Sequence, residues 1–445
     1  MNAYLKGATN IHRAVAVSAG LALVLGLAAC GGGGGDNGPG PKRLSLVIGN
    51  SLPLSGTSKA LGDSGEKASQ LAIDQIKQAI GNADADHTVR AVSEDQGTDS
   101  DTATESAKKL VNDDHASCLT GPWSSDAVEQ TAKNVTIPAK VLEIAPVPTS
   151  KNVAEINDHD LVDSTALPTS LEGSALSKAI STGVGGADGH SVNVAASNDS
   201  YGDSITQDFI QSWQGQNGTV SGQIALAPPP LSTSSSSAFS SQAQELTTNS
   251  PDAVLLIDDL NGFSQLAPAL SSSSSWNPGT AWGSDQLASP GLPDQVGPAA
   301  IDGMRAVAPG APADAAASSA FVQDFKSADP HNVKQAPFAA QEFDATILCY
   351  LAAVAADSTD GQQLADKLID ITAPGGDEFS WQQLPEAIKA LQDGKDIDYT
   401  GASGPIDMDV HGDPTAGVFD VYQYTSAGLE VVGEVSVSKP NPAIP

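Results

Sequence analysis

Alternating apolar runs and amphipathic segments are the feature that most constrains the fold of this chain. Residues 44–48 (LSLVI) predict a buried strand, and apolar side chains recur at helical spacing in residues 65–80. The further predicted strands are 89–92, 118–120, 139–144, 191–195, 220–226 and 253–257, and the further predicted helices are 101–111, 126–133, 170–180, 204–214, 238–247 and 263–270. Strands that alternate with helices predict an α/β fold with parallel strands joined by crossover helices.

The length of the body predicts two lobes. About 400 residues follow residue 43, which is large for a single hydrophobic core. The alternation begins again near residue 167. We therefore expect a second lobe of the same architecture.

The N-terminus has the composition of an export signal. Lys6 and Arg13 precede a small-apolar run, 14–26, that is shorter than the roughly 20 residues of a membrane-spanning helix. The run ends in Leu-Ala-Ala-Cys30, which resembles the bacterial lipobox and implies cleavage after residue 29 with lipid attached to Cys30. The alternative is an ordinary signal peptide with an incidental cysteine.

The charge of the chain excludes two classes of ligand. Without residues 1–29 the chain has 19 basic and 53 acidic residues, a formal net charge of −34. Such a body is repelled by nucleic acid and by anionic headgroups. The sequence also has no G-x-S-x-G, Walker A, H-E-x-x-H or post-strand G-x-G-x-x-G motif, and its seven histidines are scattered singly. We expect neither an enzyme nor a cofactor.

Two further patterns leave alternatives open. Residues 407–413 (DMDVHGD) begin like a calcium loop, but the fifth position is His411 and the twelfth is Val418, where a bidentate glutamate is needed. We expect an acidic turn and no metal, with calcium as the alternative. Cys118 and Cys349 form a disulfide, which an exported chain can hold, or are buried separately.

Several short motifs occur in an order that a known family shares. They are 48–56 (IGNSLPLSG), 60–63 (ALGD), 72–76 (AIDQI), 94–97 (EDQG), 107–111 (AKKLV), 120–125 (TGPWSS), 198–202 (NDSYG) and 398–405 (DYTGASGP). The set spans about residues 44–435 and resembles the leucine/isoleucine/valine-binding family of periplasmic solute-binding proteins of fold type I, which serve ABC importers. The resemblance implies two Rossmann-like lobes with parallel sheets, a three-crossing hinge and a ligand cleft between the lobes.

The resemblance also implies where an amino acid would bind. The implied ligand-binding residues are Trp123, Ser124, Ser125, Pro148 and Thr149 in the first lobe and Tyr201, Asp258 and Asp285 in the second. First-lobe hydroxyls and helix N-termini would replace the water lost by a carboxylate, and Asp285 would meet the ammonium. Simple helix capping by the serines and simple packing of Tyr201 are the alternatives.

Two positions depart from the family pattern. Leu61 and Leu260 stand where the family often has aromatic residues. The part of the pocket that selects the ligand side chain is therefore altered. An amide, a urea-like solute, a short peptide or an aromatic acid stays possible beside leucine or valine.

The predicted function is that of an extracytoplasmic solute-binding lipoprotein of an ABC importer. Its expected partners are an amino acid or related solute, the permease subunits and the membrane. We expect an exported monomer that the lipid anchor attaches to the membrane. A ligand-sensing receptor of the same fold is the alternative, and a secreted hydrolase is a third hypothesis. The expected segments are a signal peptide (1–29), a lipidated cysteine and spacer (30–43), lobe 1 (44–160 and 301–400), and lobe 2 (161–300) with its return and C-terminal tail (401–445).

Overall fold

The structure is a computed structural model that describes residues 43–226, 236–328 and 336–440. The expected signal peptide, Cys30 and nearly all of the spacer lie outside these residues.

The first lobe is built on a parallel sheet, sheet 1, of five strands in the order β2-β1-β3-β4-β5. Its strands are β1 (Leu44–Leu52), β2 (His87–Asp95), β3 (Cys118–Thr120), β4 (Leu142–Ala145) and β5 (Val162–Ser164). The helices between them are α1 (Lys59–Ala83), α2 (Ser100–Asn112), α3 (Ser125–Thr131), α4 (Ile137–Ala139) and α5 (Lys151–Ala154), with a π-helical turn at Ala132–Thr136.

The second lobe is built on sheet 2, whose seven strands have the order β15-β14-β10-β9-β8-β6-β7. Its first five strands are β6 (Ser191–Ser197), β7 (Thr219–Leu226), β8 (Ala253–Ile257), β9 (Ala281–Gly283) and β10 (Arg305–Pro309). Its helices are α6 (Thr169–Val184), α7 (Ser200–Gly215), α8 (Ser236–Leu246), α9 (Leu260–Ser272), α10 (Leu292–Val296) and α11 (Pro298–Ile301).

The chain then returns to each lobe in turn. The helices α12 (Ala316–Ala328), α13 (Ala339–Ala356), α14 (Gly361–Leu368) and α15 (Leu384–Gln392) and the small sheet of β11 (Asp377–Ser380), β12 (Ile397–Gly401) and β13 (Gly404–Pro405) belong to the first lobe. The last two strands, β14 (Ala416–Thr425) and β15 (Gly428–Ser438), complete sheet 2.

The α/β fold and the parallel sheet of the first lobe are as expected, whereas sheet 2 is mixed. Strand β14 pairs antiparallel with both β10 and β15. The tight turn between Thr425 and Gly428 explains the β14–β15 pairing, since strands joined by so few residues can pair only in antiparallel fashion. The expectation that both sheets are parallel was therefore wrong for this edge.

The chain passes between the lobes three times, in residues 165–168, 310–315 and 406–415. Strand β5 lies in sheet 1, although we expected the first part of lobe 1 to end at residue 160. Strand β10 lies in sheet 2, although we expected the first part of lobe 2 to end at residue 300. We propose that the lobes are instead divided near residues 165, 310 and 406.

Helix α13 forms the centre of the first lobe. It is the one helix in the described part of the chain that is long and apolar enough to span a membrane, but 83% of it is buried within the protein. It contacts α1, α14, β1, β3 and β4. Its Asp344 carboxylate accepts hydrogen bonds from Tyr399 Oη (2.9 Å) and from the backbone N–H groups of Ala402 and Ser403 (both 2.8 Å). The 398–405 motif thus fastens this helix to the small sheet.

A disulfide joins Cys118 of β3 to Cys349 of α13, with 5.9 Å between their Cα atoms. Both cysteines are fully buried. The bond links two segments 231 residues apart, and the chain between them forms most of the second lobe. A crosslink that closes so long a loop restricts the unfolded chain strongly.

Removing this disulfide is expected to destabilise the protein. Replacing Cys118 and Cys349 together by alanine should lower the free energy of unfolding by about 2–5 kcal/mol, because the unfolded chain regains conformational freedom. Urea denaturation followed by circular dichroism measures this change. Addition of reductant under denaturing conditions should lower the free energy of unfolding of the wild type and leave that of the double variant unchanged. Equal stability of the two oxidised proteins would contradict the prediction.

Candidate functional site

Four helices begin at one cavity of about 80 Å³ between the lobes. Their N-cap residues Ser58, Asp99, Ser124 and Asp259 all line it. Three of these side chains accept a hydrogen bond from a backbone N–H in the first turn of their own helix: Asp99 from Thr102, Ser124 from Ala127 and Asp259 from Gly262. The helices converge because the carboxyl ends of parallel strands meet at one edge of each sheet. Helix N-termini favour an anionic group.

The remaining walls come from both lobes and from the segment before α13. The first lobe contributes Pro53, Thr57, Leu61, Gln96, Gly97, Thr98, Trp123 and Ala127, the second lobe contributes Leu260, Asn261 and Gln286, and the segment before α13 contributes Phe338. Trp123 and Phe338 pack edge to face, with their ring centroids 5.7 Å apart. Leu61 and Leu260, the two departures from the family pattern, both line the cavity. Its wall is therefore partly apolar where a ligand side chain would lie.

Ser125 and Pro148 lie together behind the start of α3. The Ser125 hydroxyl donates to the carbonyl of Pro148 (3.3 Å) and accepts from the backbone N–H of Ser150 (3.1 Å). Thr149 donates its hydroxyl to Asp413 Oδ1 (3.4 Å), in the third crossing. The structure thus brings Ser125, Pro148 and Thr149 together, and in this state their polar groups bind one another and the hinge.

Tyr201 and Asp285 form the centre of a second cluster, in lobe 2. The Tyr201 hydroxyl donates to Asp285 Oδ1, which also accepts from the backbone N–H of Gln286 (2.8 Å). The backbone N–H of Asp285 donates in turn to Glu172 Oε1 (2.8 Å). Glu172 and Asp285 are completely buried, and Glu172 Oε2, Asp285 Oδ2 and the hydroxyl of Ser284 have no hydrogen-bond partner. This cluster holds acceptors that an added donor could satisfy.

Burial raises the pKa of both carboxyl groups of this cluster. Burial, together with the charge of Asp285, raises the pKa of Glu172 well above its usual range. Burial also raises the pKa of Asp285, to about 6, against hydrogen bonds from Tyr201 and Gln286 that lower it. Both groups therefore ionise less readily than exposed carboxyl groups.

A close approach of two helices positions this cluster. Gly173 lies next to Glu172 in α6, and a Cβ atom on it would lie 2.6 Å from the backbone nitrogen of Phe209 and 2.7 Å from the carbonyl oxygen of Ile205. Only glycine lets α6 and α7 pack this closely. The packing holds Glu172 of α6 beside Tyr201 in the first turn of α7.

Asp258 is buried but does not line the cavity, whereas its neighbour Asp259 does. One oxygen of Asp258 accepts from the backbone N–H of Asp259 (2.9 Å), and the carboxyl packs against Gly262 at the start of α9. Burial raises its pKa to about 8. The Asp258 side chain thus supports the start of α9. A ligand contact for Asp258 stays a prediction, and its place outside the cavity lining does not support it.

The lobes are closed upon each other. Ser200 of lobe 2 donates its hydroxyl towards Asp126 Oδ1 (3.3 Å) and Ser150 Oγ (3.4 Å) of lobe 1. At the opposite side of the cleft, the Gln295 amide donates to the carbonyl of Thr57 (2.9 Å). Closure therefore brings Tyr201, the neighbour of Ser200, close to the loop that carries Thr149 and Ser150.

The acidic turn that begins like a calcium loop is an ion-pair site. Lys439 Nζ lies 2.7 Å from Asp409 Oδ2 and 3.2 Å from Asp413 Oδ2. Within the described ranges no group of three or more histidine, cysteine, aspartate or glutamate residues is suited to hold a metal. Lys439 thus pairs with two carboxyl groups of this turn.

The family follows from comparison with known proteins. A family model described as periplasmic binding protein matches residues 45–428. The chain belongs to the periplasmic binding protein family. Members of this family bind small solutes for ABC transporters and are exported, and the family is one of binding proteins, not of enzymes. No curated protein sequence is significantly similar to the chain.

Solved structures with this fold bind different solutes. The branched-chain amino acid binding protein LivJ from Streptococcus pneumoniae, solved with isoleucine, has a TM-score of 0.68 and 18% identity over 89% of this chain and 100% of its own. The leucine-binding protein LivK from Thermotoga maritima has a TM-score of 0.69 and 17% identity over 89% and 99%. A solute-binding protein from R. palustris in complex with benzoate has a TM-score of 0.62 and 20% identity over 90% and 99%. At these identities the likeness shows the fold alone.

Sequence reasoning missed three residues at the site. They are Glu172 of the buried acid cluster, Gln96, whose side-chain oxygen accepts from the backbone N–H of Trp123 (2.9 Å), and Phe338. A signal for Glu172 was present, because it lies on the apolar face of a predicted helix with Leu176 and Ala179. Gln96 belongs to a motif shared with the family. Phe338 has a left-handed backbone (φ 66°) in a segment with no periodic pattern, so no signal marked it.

A larger side chain at Gly65, which packs against the Trp123 indole, is expected to change the shape of the cavity. A Cβ atom on Gly65 of α1 would lie 2.5 Å from Cζ2 of Trp123, so Gly65→Ala should push the indole and lower the free energy of unfolding by about 1–3 kcal/mol. Urea denaturation measures that loss, and tryptophan fluorescence of the folded protein should shift.

The same helix offers a matched control for this variant. A Cβ atom on Gly81 meets nothing within 4 Å, so Gly81→Ala should stabilise α1 by about 0.5–1 kcal/mol through helix propensity and leave the fluorescence unchanged. If the two variants behaved alike, Trp123 would not be held against α1 as described.

Proposed function

We propose that this protein is the solute receptor of an ABC importer and that it captures an amino acid or a related carboxylic acid that carries one amine. The main support is that the two lobes present polar groups of opposite character. Lobe 1 offers helix N-termini and hydroxyl groups, while lobe 2 offers a buried carboxyl pair with unused acceptor atoms. A zwitterion complements both surfaces, since each of its charges regains the hydrogen bonds that it loses with water.

The proposed contacts follow from this chemistry. The carboxylate of the ligand would lie at the start of α3, near Ser124, Ser125 and Thr149, and its ammonium would lie near Tyr201 and Asp285. Leu61, Leu260, Trp123 and Phe338 would enclose the side chain. The mixture of aliphatic and aromatic groups in this wall supports an apolar side chain.

A panel of ligands with matched analogues tests the need for both charges. L-Isoleucine, L-leucine, L-valine and L-phenylalanine are to be compared with N-acetyl-L-isoleucine, L-isoleucine methyl ester and benzoate by thermal shift. A ligand at a hundred times its Kd stabilises the native state by about 2.7 kcal/mol, so a free amino acid should raise Tm whereas the blocked analogues should not. A shift with benzoate alone would favour an aromatic acid and would contradict the amine-binding role of lobe 2.

Asp285→Asn is expected to remove binding of the amino acid that the panel identifies. Loss of the carboxylate leaves the ammonium buried opposite a neutral amide, and such losses typically amount to about 2–5 kcal/mol, or more than tenfold in Kd. Isothermal titration calorimetry measures the change. The control is Asp302→Asn, since Asp302 is exposed and outside the cavity lining. Unchanged affinity in Asp285→Asn would exclude Asp285 as the counterion.

We also propose that Cys30 carries a lipid that tethers the protein to the outer face of the cell membrane. The support is the Leu-Ala-Ala-Cys30 sequence and the polar, glycine-rich residues after it. Tethering would keep the receptor at a high local concentration beside its permease. Cys30→Ser should abolish incorporation of a labelled fatty acid and should release the protein from the membrane fraction, whereas the Cys118→Ala/Cys349→Ala variant should stay labelled. Persistent labelling of Cys30→Ser would exclude this cysteine as the acceptor.

A further inference from the structure

The second-lobe cluster contains two carboxyl groups, although a single ammonium group needs only one carboxylate as its counterion. Glu172 of α6 and Asp285 after β9 are both completely buried. Their side chains lie within hydrogen-bonding reach of each other, and one oxygen of each has no other partner. Tyr201 of α7 is the further titratable group that acts on the pair, and no lysine or arginine is among the described groups that do so.

Two buried carboxylates this close cannot both be charged without a cation. Like charges in a site of low dielectric repel strongly, and each loses its hydration, so the pair retains a proton. The hydrogen bonds decide which group keeps it. Asp285 accepts from the Tyr201 hydroxyl and from the Gln286 N–H, which stabilise a carboxylate. Glu172 accepts one bond only, from the Asp285 N–H, and a proton on it can be donated to Asp285.

We propose that Glu172 is a positioning residue that acts as a neutral acid, fixing Asp285 as the single carboxylate of the lobe 2 site. The lobe 2 site then presents one negative charge and selects a ligand with one amine facing Asp285. This inference rests on the proposed function for the identity of the ligand class, but the state of Glu172 belongs to the protein alone.

The binding test separates a positioning role from a charged contact. Glu172→Gln retains a group that accepts from the Asp285 N–H and donates to its carboxylate, so it should bind L-isoleucine within about twofold of the wild type by calorimetry at pH 7. Glu172→Ala removes the support and should weaken binding about tenfold, and Asp285→Asn should abolish it. If Glu172→Gln lost binding as Asp285→Asn does, Glu172 would be a charged ligand contact and the proposal would fail.

The second test needs no ligand. Because the folded pKa of Glu172 is raised, its contribution to stability is fully present at low pH and is lost as the pH rises towards that pKa. Glutamine does not titrate. The Tm of Glu172→Gln minus that of the wild type should therefore increase from pH 5 to pH 8, by about 2 °C or more. A difference that stays flat would show that Glu172 is ionised at neutral pH and would overturn the proposal.

Glu143→Gln is the matched control for both measurements. Glu143 of β4 is also completely buried, and burial raises its pKa well above the usual range, but it lies in the first lobe and bonds Thr136 away from the cavity. Its variant should show the same rising Tm difference with unchanged affinity for L-isoleucine. If L-isoleucine fails to bind the wild type while the Tm difference rises as expected, the proposed ligand is wrong and the protonated state of Glu172 stands.

Discussion

The burial of α13 in the first lobe is the packing interaction on which the rest of the fold depends. This helix follows a complete excursion of the chain through the second lobe, yet it fills the centre of the first lobe core. The disulfide to Cys118 and the bonds from Asp344 to residues 399–403 hold it there. Since lobe 1 is incomplete without α13, the chain must cross back to it, and the later strands β14 and β15 require the third crossing. A hinge of three adjacent segments permits the lobes to rotate as units while it restricts their separation.

Burial also changes how the acidity of the protein should be understood. The formal charge of −32 counts every carboxyl group as ionised. Loss of hydration raises the pKa of Glu342 and that of Asp258 to about 8, and it raises the pKa of Glu172 well above the usual range. A buried carboxyl group with a raised pKa keeps its proton to a higher pH than an exposed one. The formal charge therefore overstates the charge that the buried carboxyl groups contribute, while Asp99 and Asp259 still line the cavity.

The sequence predicted the fold better than it predicted the site. Periodicity located α1 and the strands at 118–120 and 253–257, because their apolar faces pack directly into a core. It ended β1 at residue 48, whereas the strand continues to Leu52 through the buried polar residues Asn50 and Ser51. The Asn50 side chain donates to the Ser69 hydroxyl (2.9 Å) and accepts from Thr120 (3.1 Å), partners that are distant in the sequence. The site posed the same difficulty. Ser124 and Tyr201 belong to recognisable motifs, and helical periodicity places Glu172 on a buried face of α6. Phe338 lines the cavity because of an unusual backbone angle that no local pattern encodes.

Closure of the lobes brings charges of the same sign together, which bears on how a ligand controls the hinge. Asp126 of lobe 1 lies close enough to Asp199 of lobe 2 that burial and the neighbouring charge both raise its pKa. The hydrogen bond from Ser200 to Asp126 opposes this repulsion only in part. This pair of carboxyl groups therefore opposes closure, whereas a ligand bound as we propose, between the helix N-termini of lobe 1 and the carboxylate of lobe 2, would add attraction only in the closed state. Such differential binding is what shifts a hinge equilibrium towards the closed form.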